Sequence, residues 1–231
     1  MPLVRKLGIV ATVVMTLTLA ACIGSATVTT TSRPVRLDTS AKAITRLLAA
    51  ALRASGGTFN AVYRMSEPLW SGRVVFVAER SAHGQFGSLF SRSPASAAEA
   101  TSEFFYTGRG EYTCGRLRVS APWQCSRPGP MGGSTLLSDY EPAFLYQDLS
   151  FAASQNPATD IASRTVARKR VPCLAFGSTV KACFPASGFI AYFSTSVAID
   201  NGWTGTATLL SYQSGIPAHI FVLPAKPSPE R

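Results

Sequence analysis

The chain has 231 residues, 46% of them hydrophobic and 15% charged, with 22 Lys and Arg against 12 Asp and Glu. That length and apolar content suit one globular domain with a sizeable core, and they exclude a disordered or collagen-like chain. The positive charge is mostly arginine, yet no zinc-finger spacing or RNA-binding aromatic motif accompanies it, so no nucleic-acid partner is expected.

Arg5 and Lys6 precede an uncharged apolar run over 7–19, which ends at Leu19-Ala20-Ala21-Cys22. A positive start, a short apolar segment and small residues before a cut form an export signal. The run is shorter than the roughly 20 residues of a membrane-spanning helix. Leu19-Ala20-Ala21-Cys22 resembles the lipobox of bacterial lipoproteins. That resemblance implies removal of residues 1–21 as a signal peptide and a diacylglycerol thioether on Cys22. The expected location is the extracytoplasmic face of the cell membrane, with the membrane as partner through the lipid anchor. Residues 22–37 are rich in Thr and Ser, carry Pro34 and show no periodicity, so they read as a flexible tether.

The globular domain is expected over 38–224. Asp38, Thr39 or Ser40 caps a first helix, whose stripe of Ala43, Ile44, Leu47, Leu48, Ala51 and Leu52 keeps helical spacing until Gly56-Gly57 ends it. From Thr58 the period becomes two. Phe59, Ala61, Tyr63 and Met65 alternate with polar residues, and further strands follow through 119, with turns at 67–72, 81–84 and 108–110. A Pro- and Gly-rich break spans 121–133. A second helix is expected over 136–154, with Pro142 tolerated near its start. Strands resume over 163–167, 171–176, 181–184, 189–194, 206–212 and 219–223. Residues 225–231 read as a disordered tail. Helix, strands, helix, strands predicts an α+β fold: a strongly curved antiparallel sheet, closed like half a barrel, with two or more helices packed in its mouth.

Setting Cys22 aside leaves Cys114, Cys125, Cys173 and Cys183, an even set in an oxidising compartment. Of the three connectivities, sequential pairing suits hairpins: Cys114–Cys125 and Cys173–Cys183. Spacings of 11 and 10 match neither a CxxC redox pair nor a zinc knuckle.

Catalytic groups are sparse. His83 and His219 are the only histidines, and no acidic or cysteine partners lie near them in sequence. Ser178-Thr179-Val180-Lys181 has the Ser-x-x-Lys spacing but falls inside the Cys173–Cys183 loop, between strands rather than at a helix start. Glu99 and Glu103 do not define a glycosidase pair. Neither an enzyme activity, nor a metal, nor a cofactor is expected. The densest basic segment holds Arg164, Arg168, Lys169 and Arg170, a candidate contact for phospholipid headgroups. Trp70, Trp123 and Trp203 read as core or rim packing.

The lipobox, the tether, the amphipathic first helix and the strand meander together resemble the LolA-like lipoprotein carriers, including the LppX/LprG-type lipoproteins of actinobacteria. Glu111-Tyr112-Thr113-Cys114, Pro122-Trp123-Gln124-Cys125, Cys183-Phe184 and the run Gly188 to Phe193 carry the likeness, which covers about residues 40–223. It implies a domain that binds acyl chains between sheet and helices, although no single residue transfers. Two readings follow: an envelope lipoprotein that binds or carries a lipid or other apolar ligand, or an accessory lipoprotein with a filled core that binds a protein or an envelope polymer.

Overall fold

A computed structural model describes residues 36–80, 86–127, 143–198, 204–216 and 219–228, which belong to one compact unit, Pro34–Arg231. Cys22, His83, Trp203 and the signal-peptide segment lie outside the described residues.

Helix α1 (Ala41–Ser55) forms as its capping residues dictate. Ser40 accepts a hydrogen bond at Oγ from the Ala43 amide, and the Gly56 amide donates to the Leu52 carbonyl. One turn earlier, Asp38 Oδ1 accepts from the Ser40 amide at 2.8 Å, and these hydrogen bonds to Ser40 hold its carboxyl below the usual range.

Eleven strands follow: β1 (Phe59–Glu67), β2 (Trp70–Arg80), β3 (Phe86–Pro94), β4 (Thr101–Thr107), β5 (Gly110–Arg116), β6 (Gln124–Ser126), β7 (Ala158–Val166), β8 (Lys169–Phe176), β9 (Val180–Cys183), β10 (Tyr192–Thr195) and β11 (Gly205–Gln213). Helix α2 (Ala143–Gln155) lies between β6 and β7 in sequence. All strands join one sheet in the order β6-β5-β4-β3-β2-β1-β11-β10-β9-β8-β7, with every pairing antiparallel. The sheet is open and curved, and it curls enough for β7 to touch β11 across three intervening strands. The expected α+β class, a curved antiparallel sheet with helices packed on it, is the observed one.

The register sorts side chains onto two faces. Tyr63 lies opposite Val74 and Leu209, and Ala61 opposite Phe76 and Tyr212. These residues share the helix-facing side, where they form one buried core with Ile44 and Ala51 of α1 and Leu145 and Leu149 of α2. The opposite face carries its own core. Val77, Leu89, Phe105 and Tyr112 follow one another in a cross-strand row over β2 to β5. Such rows are the stabilising unit of a sheet.

Three expectations need correction, and a fourth falls partly outside the described residues. The second helix is described only from Ala143, and residues 128–142, including Leu137 and Tyr140, lie outside the described set. Strand β10 begins at Tyr192, not 189. Gly188 adopts φ +80, and a Cβ there would stand 3.1 Å from the Ala50 carbonyl, so the chain is bent against α1 before it can enter the sheet. Residues 219–223 form a turn closed by Val222 N–H on the His219 carbonyl at 3.1 Å, not a strand. The segment starting at 225, read as a disordered tail, is held through Ser228: Pro227 forms a parallel bridge to Cys125, and the Ser228 amide donates to the Cys125 carbonyl at 2.9 Å. The reason is shared by the last two. Ile216, Ile220, Phe221, Leu223 and Ala225 pack on the second core, so this apolar segment crosses the outer face as a strap.

Candidate functional site

An acyl chain would need room between the sheet and the helices. The middle of that space is occupied by rings. Phe59 and Phe189 sit with centroids 5.3 Å apart, Phe189 and Tyr212 at 4.5 Å, Tyr63 and Phe76 at 5.8 Å, and Tyr63 and Phe189 at 6.2 Å. Alternation along β1 puts Phe59 and Tyr63 on this face, and the bend at Gly188 delivers Phe189. Tyr63 is wholly buried, and its hydroxyl donates to the Ile190 carbonyl at 2.6 Å. Burial pushes its ionisation well above the ordinary phenol value, with the Tyr212 phenol adding to the shift. The hydroxyl therefore stays a donor and fastens the 184–191 segment over β1. Beyond this plug, on the same face of β4, Phe104 and Tyr106 are only half-buried.

The basic segment lies at a sheet edge. Val166 pairs with Lys169, so Ala167 and Arg168 alone turn β7 into β8, with φ 47 and 64. Two successive positive φ values define the primed turn that suits a twisted hairpin, a turn normally given to Asn and Gly. Arg164 stacks its guanidinium 3.9 Å over the Tyr192 ring, and Arg170 Nε donates to Ser163 Oγ at 2.7 Å. Arg168 and Lys169 are exposed at the tip. Among the described residues, none of the four cations pairs with a carboxylate. The fold thus separates the predicted basic set: two arginines are laid down on the protein, and two cations project.

The two cysteine pairs lie in different cores, Cys114 and Cys125 in the second and Cys173 and Cys183 in the one that includes the helices. Cys114 stands opposite Cys125 across β5 and β6, and Cys173 opposite Cys183 across β8 and β9, each joined as a disulfide with Cα atoms 4.0 Å apart. Beside Cys114, Glu103 accepts a hydrogen bond from Ser91 Oγ at 3.1 Å. Burial raises its carboxyl above the ordinary value, a shift that Ser91 and Arg116 partly offset.

Remaining candidates disperse. Ser178 lies in the β8–β9 turn and Lys181 is the exposed residue of β9, so no helix start assembles them. His219 sits on the strap with φ 66, beside an open groove of about 1770 Å³ shared with Glu79, Glu111 and Lys226. Among the described residues, no three His, Cys, Asp or Glu side chains gather to hold a metal. Trp70 lies under the Arg92 guanidinium at 3.7 Å and Trp123 under Arg116 at 4.7 Å, pairings that sequence spacing did not disclose. The strap was also missed: its apolar residues were visible, but the outer face that receives them exists only after the sheet forms.

No protein-family model and no curated protein matches the chain. Among solved structures, a crystal structure of MucB is similar over 79% of this chain and 62% of its own, with 13% identity and a TM-score of 0.47. The complex structure of Pseudomonas aeruginosa MucA/MucB aligns over 75% of this chain and 58% of its own, with 10% identity and a TM-score of 0.46. A putative outer membrane lipoprotein-sorting protein domain from Vibrio parahaemolyticus aligns over 76% and 95%, with 10% identity and a TM-score of 0.27. The chain spans about three-fifths of the length of the MucB chains it matches.

Proposed function

We propose that this chain is a membrane-tethered, extracytoplasmic lipoprotein that works as a non-catalytic binding module of LolA-like architecture, its core filled rather than hollow around β1 and β11. The Cys22 motif and two cysteine pairs suited to an oxidising compartment support the location. The packing of Phe59, Tyr63, Phe189 and Tyr212 carries the filled-core reading, because rings 4.5–6.4 Å apart leave no path for an alkyl chain between them. In this reading the ligand is external: a protein or an anionic envelope polymer, for which Arg168 and Lys169 offer charge without an internal partner.

A second reading, a carrier of a lipid or other apolar ligand, is favoured by the half-buried Phe104 and Tyr106 beside the plug. Native mass spectrometry of protein purified from its own host separates the two. The filled-core reading expects the mass of the acylated chain alone. A stoichiometric second lipid that survives purification sinks it and establishes the carrier.

A further inference from the structure

The strand register sends every hairpin to one of two ends of the sheet. The loops 68–69, 95–100, 117–123 and 177–179 and the facing ends Thr195 of β10 and Gly205 of β11 lie at one end, and the turns 108–109 and 167–168 with the ends Arg80 of β2 and Phe86 of β3 at the other. Among the described residues, the large apolar side chains left in solvent are not spread evenly. Leu69 is 99% exposed, Leu117 82%, Val197 46% and Val119 44%, and these four stand on loops of the first end, whereas Leu52 of α1, Phe151 of α2 and Val222 of the strap, exposed by 48%, 47% and 64%, stand singly elsewhere. The two-residue tip Pro68-Leu69 and the β5–β6 loop are places where polar residues serve the fold best, and neither leucine supports the core. Trp70 and Trp123 flank the same loops, half-buried, each with an arginine on its ring. Tryptophan with a neighbouring cation is the pairing favoured at the boundary between hydrocarbon and headgroups. Arg92, Arg116, Arg118 and Lys181 stand at this end among the acids Glu67, Glu99, Glu103 and Asp160, and Glu67 is paired to Arg92 at 3.8 Å.

The start of the described chain lies at this end too. The Leu37 amide donates to Asp160 Oδ1 at 3.2 Å, and Asp160 is the third residue of β7, which begins at the Leu69 end. The described chain therefore begins at the rim that carries the exposed leucines. We infer that this rim is a membrane-docking surface, which inserts Leu69 and Leu117 into a phospholipid bilayer, and that the hairpin of Arg168 and Lys169 faces away from it. The inference rests on the membrane-tethered reading for its setting, but the rim acts without the acyl chains. It also reverses the sequence-based expectation that Arg164, Arg168, Lys169 and Arg170 meet the headgroups.

The mature-length chain 22–231 carrying Cys22→Ser removes the acyl anchor and leaves the rim. It is expected to co-sediment with vesicles of equimolar phosphatidylglycerol and phosphatidylcholine, and to remain bound at high salt because apolar insertion is not screened. Leu69→Ser and Leu117→Ser should each weaken partitioning by about tenfold. Val222→Ser, on the strap, and the pair Arg168→Ser with Lys169→Ser should change it little. Absent vesicle binding, or binding indifferent to both leucines, overturns the inference. So does binding that the Arg168/Lys169 pair abolishes, since the other end would then face the membrane. Acylation of Cys22 is read separately from the intact mass of the full chain, so failure of the anchor and failure of the rim are distinguishable.

Discussion

Gly87 of β3 lies directly beneath the ring of Phe221: a Cβ built on Gly87 would stand 2.9 Å from Phe221 Cε2. The flat place on the strand and the ring that fills it are 134 residues apart in sequence. This contact seats the strap on the second core, and the bridge from Pro227 to Cys125 fastens its far end to edge strand β6. An uncovered edge is a template for pairing with another chain, so the strap both buries apolar surface and blocks that edge.

Gly87→Leu is therefore expected to lift the strap. Overpacking of this kind costs about 1–3 kcal/mol, and denaturant unfolding should show the loss. Limited proteolysis should find new cuts between 214 and 228. Adding Phe221→Ala to Gly87→Leu should recover part of the stability, because the ring that clashes is gone. A double variant no better than Gly87→Leu would place the cost elsewhere in β3.

The Cys114–Cys125 disulfide ties a three-residue edge strand to the sheet and presents the backbone on which Pro227 and Ser228 dock. Closing a loop with a sequence separation of 11 contributes about 3 kcal/mol on the chain-entropy model. Replacing both cysteines with serine should lower stability by that order. It should also raise amide exchange over 219–228, a segment distant in sequence. Loss of stability with unchanged exchange there would show that the strap holds without β6.

Arg168 occupies a left-handed conformation that glycine adopts without strain. Arg168→Gly should raise stability by about 1 kcal/mol in urea unfolding. Retention of arginine at this position is then a cost to the fold, which points to work done by the exposed charge. A destabilised glycine variant would show that the Arg168 stem packs usefully and would remove that argument.

Glu103 has its folded-state pKa raised from 4.5, first by burial. The unfolded chain releases the proton more readily than the folded one, so stability contributed at low pH is lost as pH climbs from the ordinary carboxylate value through the raised one. Glu103→Gln cannot ionise and can still accept from Ser91. Its stability relative to the parent should therefore rise across that interval and level off above it. Parallel pH profiles for the two proteins would show instead that Ser91 and Arg116 cancel the burial effect.

Local patterning made much of the fold legible. The α1 stripe and its Ser40 cap, the alternation of β1, and the turn at Gly108-Arg109-Gly110 all depend on neighbours within a few residues. The cysteine pairs were legible for the same reason, since each spans adjacent strands. Legibility failed where a segment answers to distant surfaces. Residues 189–191 have strand-forming side chains, but Gly188 turns them against α1, and Tyr63 captures the Ile190 carbonyl. The apolar residues at 219–223 fit a strand equally well until an eleven-stranded sheet offers them an outer face.

Composition and spacing by themselves determined the class of this protein: an α+β domain with a meander, paired cysteines, and a lipobox-like Cys22 ahead of a Thr-rich stretch. These are short-range properties, fixed by periodicity, capping and turn chemistry. Only the tertiary structure decided which side chains share a face or an end. It filled the centre of the helix-facing space with rings, folded the C-terminal strap over the second core, and put Leu69 and Leu117 at the end opposite Arg168. The physical reason is register: residues far apart in sequence become neighbours only when eleven strands pair in one order.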